Sequence, residues 1–336
     1  MQQRYGTRRG FARADLLVLV VVALVLLALL APLLARAQQT ADAMRCANNL
    51  SEIALAFHNL HNDYNIFATG GGHAAQGRAY RLGNKFERHP PLGGVLAPGA
   101  DAVPPPYQEW GWAYQILPYI EHLQVWKSPK DDDIRQTPIS VYFCRLRRKP
   151  SLNEKNAKGL QMAGIDYGGN GGITGPVKAV QRLTPRSYSP PYGDYTATGL
   201  VIRSSSWYPE KGPRLRSVSL DGGVPDGTSN TILLAHKRMQ LDKVNKNPAN
   251  DDWSFVDGWG EDTIVRYHPE DAKLQPQQDN RDPVPEFAMG SAHPQAMPVV
   301  FTDRSVRRIR YTAKPETLAA AMIRDDGVGF DLKDLE

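Results

Sequence analysis

Two cysteines, eight histidines and a few short acidic runs are the residues of this 336-residue chain with the most chemistry to offer. Cys46 and Cys144 are separated by almost a hundred residues, and no zinc site can be built from them alone. His58 and His61 sit one helical turn apart, which could make half a metal site. No further ligand is fixed by local spacing, so they read as polar helix residues at a domain boundary. His293 and Asp303 are the best acid–base pair, and the reading favoured here is a structural hydrogen bond that pins a hairpin. Hard oxygen ligands for calcium occur in "KDDD" (Lys130 to Asp133), in "NDD" (Asn250 to Asp252) and at Asp221 and Asp226, without the twelve-residue EF-hand spacing. Glycine-rich loops such as "IDYGGNGGITG" lack the Lys-Ser/Thr and the following helix that a phosphate cradle needs. No nucleophile, base and stabilising group converge by spacing, so the expectation is a non-enzyme with no catalytic residue and no assigned metal site. Calcium is the only cofactor with any support.

The elements that must position these residues begin with an apolar run. Leu16 to Ala35 is almost wholly Leu, Val and Ala, broken by Pro32, and as a helix it spans roughly 30 Å, the thickness of a bilayer core. Arg4, Arg8 and Arg9 precede it, which predicts a cytoplasmic N-terminus and an extracytoplasmic remainder. A secretory signal has the same polarity, and Ala35-Arg36-Ala37 fits its cleavage pattern, but the run exceeds the usual ~7–15 residues of a signal core. Asp15 stands at the mouth of the run, where a carboxylate carried to full depth costs on the order of 2.5–3.5 kcal/mol and is normally kept for a partner. Outside the cytoplasm, one disulfide from Cys46 to Cys144 would close a long loop; two buried free thiols are the other reading.

Beyond the run, Met44, Ala47, Leu50, Ala54, Phe57 and Leu60 recur at three- and four-residue spacing, so one helix is expected from about Leu16 to His61. Residues 66–108 are rich in Gly and Pro and read as irregular loop. "WGWAYQILPYIEHLQVW" reads as a core segment, partly helical and broken near Pro118. "TPISVYFC" reads as a strand ending at Cys144, and Asp226-Gly227 as a turn into a buried strand, Thr231 to Ala235. Met297 to Phe301 and Val306 to Tyr311 form a β-hairpin, and an amphipathic helix covers Pro315 to Ile323. Net charge is +5 and the pI about 9.1, with the basic residues scattered among Asp and Glu; nucleic acid is not an expected partner.

Gly10-Phe11, the acidic Asp15 at the fifth position after that glycine, and an apolar run with Pro32 at the twenty-second together resemble a type IV prepilin signal. The blocks "RCANNLSEIALAFHNLHNDY", "LPYIEHLQVW", "VYFC", "YGGNGG", "DGTSNTILL" and "GSAHPQAMPVVFTDRSVRRI" extend the resemblance to a large pilin-like family with a C-terminal His-x9-Asp-Gly motif and no assigned biochemical role. The motif positions here are Asp226, Gly227, Ser229, Asn230, His293 and Asp303. The chain departs from the pattern at Ala12-Arg13-Ala14 (usually Thr-Leu-Ile), Asp15 (Glu), Arg145 (Pro), Ala235-His236 (Gly-Glu) and Arg304 (Gly).

The resemblance implies cleavage by a prepilin peptidase between Gly10 and Phe11, methylation of Phe11, and pairing of Asp15 with the α-amino group of a neighbouring subunit. It also implies an α+β, pilin-like fold: a long N-terminal helix, its first half transmembrane, packed on an antiparallel sheet enlarged by Pro/Gly-rich insertions. The organisation expected is a cytoplasmic leader (1–10), a transmembrane assembly helix (11–37), its exposed amphipathic continuation (38–65) and an extracytoplasmic head (66–336). The function expected is a pseudopilin-like envelope or filament subunit, single-pass in a bacterial inner membrane and on the cell surface once assembled. Its partners would be the peptidase, other pilin-like subunits and the membrane. A monomeric, membrane-anchored surface-binding module, calcium-dependent in one version, is the alternative.

Overall fold

The computed structural model describes residues 13–156, 158–174, 198–204 and 216–336. Gly10 and Phe11 lie outside the described residues. Helix α1 spans Arg13–Tyr64, with Asp15 near its start and Pro32 inside it, close to the bounds that the spacing predicts. The chain divides into two compact units, Met1–Met44 and Arg45–Glu336.

In the first unit the large Leu and Val side chains of the apolar run, from Leu16 to Leu34, are exposed. The segment is long and apolar enough to cross a membrane.

In the second unit α1 buries one stripe, Cys46, Leu50, Ile53, Ala54, Phe57 and Leu60, at the three- and four-residue steps that keep side chains on one helix face. Met44, which the periodicity places on this stripe, is 62% exposed; the stripe starts at Cys46.

A five-stranded sheet forms the centre. Its strands are β4 (Tyr167–Ile173), β5 (Ile232–His236), β6 (Ile264–Tyr267), β9 (Ala296–Phe301) and β10 (Val306–Arg310), in the order β10-β9-β5-β4-β6. All neighbours are antiparallel except β4 and β6, which are parallel, so the sheet is mixed. One core joins the α1 stripe to Tyr167, Leu233, Leu234 and Val300; a second joins Ala235, Val299 and Phe301 to Leu318 and Met322 of the helix Pro315–Met322. The predicted hairpin, the buried strand after DGTSN and the C-terminal helix are all present.

Three expectations fail for identifiable reasons. The "YGGNGG" block is the buried strand β4 rather than a loop, and its glycines make room. A Cβ on Gly168 would come within 2.6 Å of Val265, and one on Gly169 within 2.8 Å of Val201. "TPISVYFC" contains a 3₁₀ turn, Ser140–Tyr142, held by local bonds such as Tyr142 N–H to the Ile139 carbonyl; its alternation of apolar residues reflects burial without strand pairing. The Gly/Pro-rich stretch 66–108 contains a small antiparallel sheet of β1 (Ala79–Leu82), β2 (Lys85–Arg88) and β3 (Ala100–Ala102), in the order β2-β1-β3. A two-residue parallel pair, β7 (Gln277–Gln278) and β8 (Gly290–Ser291), completes the described strands.

Candidate functional site

Four chemistry-bearing side chains meet beneath the second part of α1. Cys46 comes from the buried stripe of that helix, Cys144 from the segment after the 3₁₀ turn, His236 from the end of β5, and His293 from the connection between β8 and β9. Their ligand-type atoms all lie within 4.8 Å of one another, and all four residues are buried. The Cys46 and Cys144 sulfurs are 3.1 Å apart, and Cys144 Sγ is 3.5 Å from His293 Nε2. The His236 and His293 rings meet edge to face at 5.1 Å.

Neighbouring bonds set the orientation of each group. His236 Nδ1 lies 2.8 Å from the Pro298 carbonyl. A carbonyl can only accept, so Nδ1 carries the proton and Nε2 presents its lone pair toward the cysteines. That Nε2 is buried and has no hydrogen-bond partner. Burial also pushes the His236 imidazole down in pKa, toward the neutral form. For His293, the backbone N–H donates to Ser291 Oγ, and the Tyr311 hydroxyl donates to the His293 carbonyl at 2.8 Å. Cys144 N–H donates to Asp166 Oδ2 at 2.7 Å.

Asp166 is in turn paired with Arg147 at 3.1 Å and Arg148 at 2.8 Å, and Arg148 reaches on to Asp251 at 2.6 Å. The loop that carries Cys144 is therefore held by buried charge. The hydrogen bond shared by the two sulfurs, aided by His236 and His293, holds the Cys46 thiol well below its ordinary range. The same shared proton, together with burial, pushes Cys144 up.

The expected Cys46–Cys144 disulfide is not formed here. Both cysteines are free, and 3.1 Å is well beyond an S–S bond of about 2.05 Å. The fold does confirm that they are neighbours. The expected His293–Asp303 hydrogen bond is corrected, because the two residues stand at opposite ends of β9. In a hairpin the residue before the first strand faces the end of the second strand, far from the turn. Asp303 Oδ1 instead accepts from Ser305 N–H and Oγ–H within the turn, and Asp303 N–H donates to the Thr228 carbonyl.

The other motif residues are structural ties. Asp226 accepts from the N–H groups of Asp326 and Gly327 at 2.7 and 2.9 Å, Gly227 takes a positive φ of 97°, and Asn230 Nδ2 donates to the Asp226 carbonyl; Ser229 is exposed. His58 Nε2 contacts the Thr302 carbonyl at 2.7 Å, and His61 Nε2 accepts from Leu220 N–H, so both help to dock α1. Within the acidic runs, Asp131 pairs with Arg78 at 2.8 Å, and Asp251 pairs with Arg148 and Lys237.

A family model described as a protein of unknown function, DUF1559, matches residues 35–316. The chain belongs to this family. In this DUF1559 protein the matched stretch starts inside α1 and takes in Cys46, Cys144, His236 and His293, together with the DGTSN turn and the β9–β10 hairpin. Gly10, Phe11, Asp15 and Pro32 precede it. No curated protein and no solved structure matches the chain.

Sequence reasoning singled out three of the four clustered residues, two as a disulfide and one as a hairpin pin. His236 was visible only as a departure from Gly-Glu. Nothing in the spacing links the four, since Cys46 and Cys144 are 98 residues apart and Cys144 and His293 are 149 apart.

Proposed function

We propose that this DUF1559 protein is a non-enzymatic, pilin-like subunit of a bacterial cell envelope, anchored or assembled through the first part of α1, with residues 45–336 as its extracytoplasmic head. The observation that carries this reading is the exposed Leu/Val/Ala face from Leu16 to Leu34. A surface of that size in water would be a severe liability, whereas in lipid or in a helical bundle it is the source of cohesion.

On this reading a prepilin peptidase cuts between Gly10 and Phe11 and the new N-terminus is methylated. The Asp15 carboxylate then pairs with the α-amino group of a neighbour's Phe11, which sets the register of packing that Leu and Val contacts alone leave undirected. Pro32 costs α1 one backbone hydrogen bond at a depth where packed neighbours can compensate. The partners are then the peptidase, the membrane and other pilin-like subunits.

The test is mass spectrometry of the mature N-terminus, joined to cross-linking of Asp15→Val against wild type. Methylated Phe11, and loss of cross-linked subunits without loss of membrane association, are expected. Losing one partner of a buried ion pair costs roughly 3–5 kcal/mol, enough to abolish such an interface. A chain starting at Gln38 would instead make this an ordinary secreted protein. Unchanged oligomers in the variant would make Asp15 merely an interfacial charge, and a wild type that gives no cross-linked subunits would leave a monomeric anchor.

A further inference from the structure

We propose that Cys46, Cys144, His236 and His293 form a closed, four-coordinate site for a divalent transition metal, with zinc as its natural occupant. The site is independent of the membrane-anchored reading above, since all four ligands belong to the second unit.

The donor set is two sulfurs and two imidazole nitrogens, the combination that suits tetrahedral zinc. With metal–ligand lengths of about 2.3 Å to sulfur and about 2.0–2.1 Å to nitrogen, tetrahedral edges come to about 3.8 Å between sulfurs and about 3.6 Å between sulfur and nitrogen. Cys144 Sγ to His293 Nε2, at 3.5 Å, already matches such an edge. The sulfurs, at 3.1 Å, must separate by about 0.7 Å, a side-chain adjustment. All four ligand atoms fit within 4.8 Å.

The independent observation is His236 Nε2. It is fully buried, deprotonated because Nδ1–H is committed to the Pro298 carbonyl, aimed into the cluster, and without a partner. A carbonyl or carboxylate on the outer nitrogen is the usual way a metal-binding histidine is oriented. A disulfide would consume the two sulfurs and leave this nitrogen stranded, whereas a metal uses all four groups.

Binding is an exchange without oxidation or reduction. Zn²⁺ accepts one electron pair from each sulfur and each Nε2, and the two thiol protons leave to solvent. Two thiolates cancel the metal's charge, so the filled site is neutral, as its burial requires. With four protein ligands and His293, the most accessible, only 2% exposed, no position is open to substrate. The role is structural: the metal would clamp α1, the Cys144 loop, β5 and the approach to β9.

The full-length chain, purified in detergent without reductant or chelator, should carry about one zinc per molecule by elemental mass spectrometry. Its thiols should react only after a strong chelator is added. Cobalt titration of the stripped protein should give the visible bands of a tetrahedral ion and a sulfur charge-transfer band. His236→Ala should weaken cobalt binding by more than the 10–100-fold typical of an outer-shell change, and His236→Cys, which restores a ligand, should recover most of it. Two results overturn the proposal. One is a metal-free protein whose intact mass is two hydrogens light, which means a disulfide. The other is a reduced protein that gives no tetrahedral cobalt spectrum. Both are read on the wild-type chain, so failure of a variant to fold decides nothing.

Discussion

The docking of α1 can be tested at two neighbouring residues on different faces of the helix. Phe57 is fully buried, with its ring 5.6 Å from that of Trp112 and 6.2 Å from that of Phe67. Leu55, two positions earlier, is 43% exposed. Phe57→Ala removes an entire aromatic ring from a core whose neighbours, including Trp112 with its indole N–H bonded to the Thr263 carbonyl, cannot collapse freely. The expected loss is about 3–5 kcal/mol. Leu55→Ala removes a partly wetted side chain and gains helix propensity, so its expected cost is below about 1 kcal/mol. Urea unfolding of the detergent-solubilised protein, followed by tryptophan fluorescence, reads the difference, because Trp112 lies against the altered site. With a urea dependence near 3 kcal/mol per molar for a domain of this size, Phe57→Ala should lower the midpoint by roughly 1–1.7 M and Leu55→Ala by no more than about 0.3 M. Similar midpoints for the two variants would refute the placement of the buried stripe, and with it the position of Cys46 under the helix.

Three further outcomes follow from the packing and the buried charge. Gly169→Ala should destabilise by about 1–3 kcal/mol, because the new methyl meets Val201 at 2.8 Å, and Val201→Ala in the same chain should recover part of the loss in thermal melts. Arg148→Met leaves Asp166 and Asp251 short of a cation and should cost about 3–5 kcal/mol near neutral pH. Burial alone would raise the Asp251 carboxyl, but Arg148 and Lys237 outweigh it and hold it low. The stability from that pairing is thus present above the unfolded value near 4 and lost as pH falls, so the gap between wild type and Arg148→Met should narrow in acid. Asp326 shows the reverse sign: burial first, and then the Asp226 carboxylate, push it up to about 7. The folded chain holds that proton more tightly than the unfolded one, so stability present below pH ~4 is lost as pH rises toward 7. Asp326→Asn, which can still accept from Val328 N–H, should match wild type at about pH 4 and exceed it at pH 8, by up to about 4 kcal/mol less whatever water screens. Equal chemical-denaturation curves at pH 8 would remove the basis for this prediction.

Local physics was legible along the chain. The length and composition of the Leu16–Ala35 run determine a helix long and apolar enough to cross a membrane. The three- and four-residue spacing beyond it determines which face of α1 is buried, wrong at Met44 and right from Leu50 on. Turn residues around DGTSN, and the short apolar run of β9 with the Asp303-Arg304 turn after it, determine a strand and a hairpin, because those signals act over a few residues. Two elements could not be read in this way. Glycine in β4 weakens any local preference for strand, and that segment is extended because Val201 and Val265 pack where side chains would otherwise stand. The 3₁₀ turn before Cys144 has a strand's apolar pattern because burial, rather than sheet pairing, is what the pattern records. The convergence of Cys46, Cys144, His236 and His293 belongs wholly to the tertiary structure. A helix, a loop, a strand end and a strand approach supply one ligand-type atom each, and no spacing along the chain encodes the packing of α1 on the sheet that brings them together.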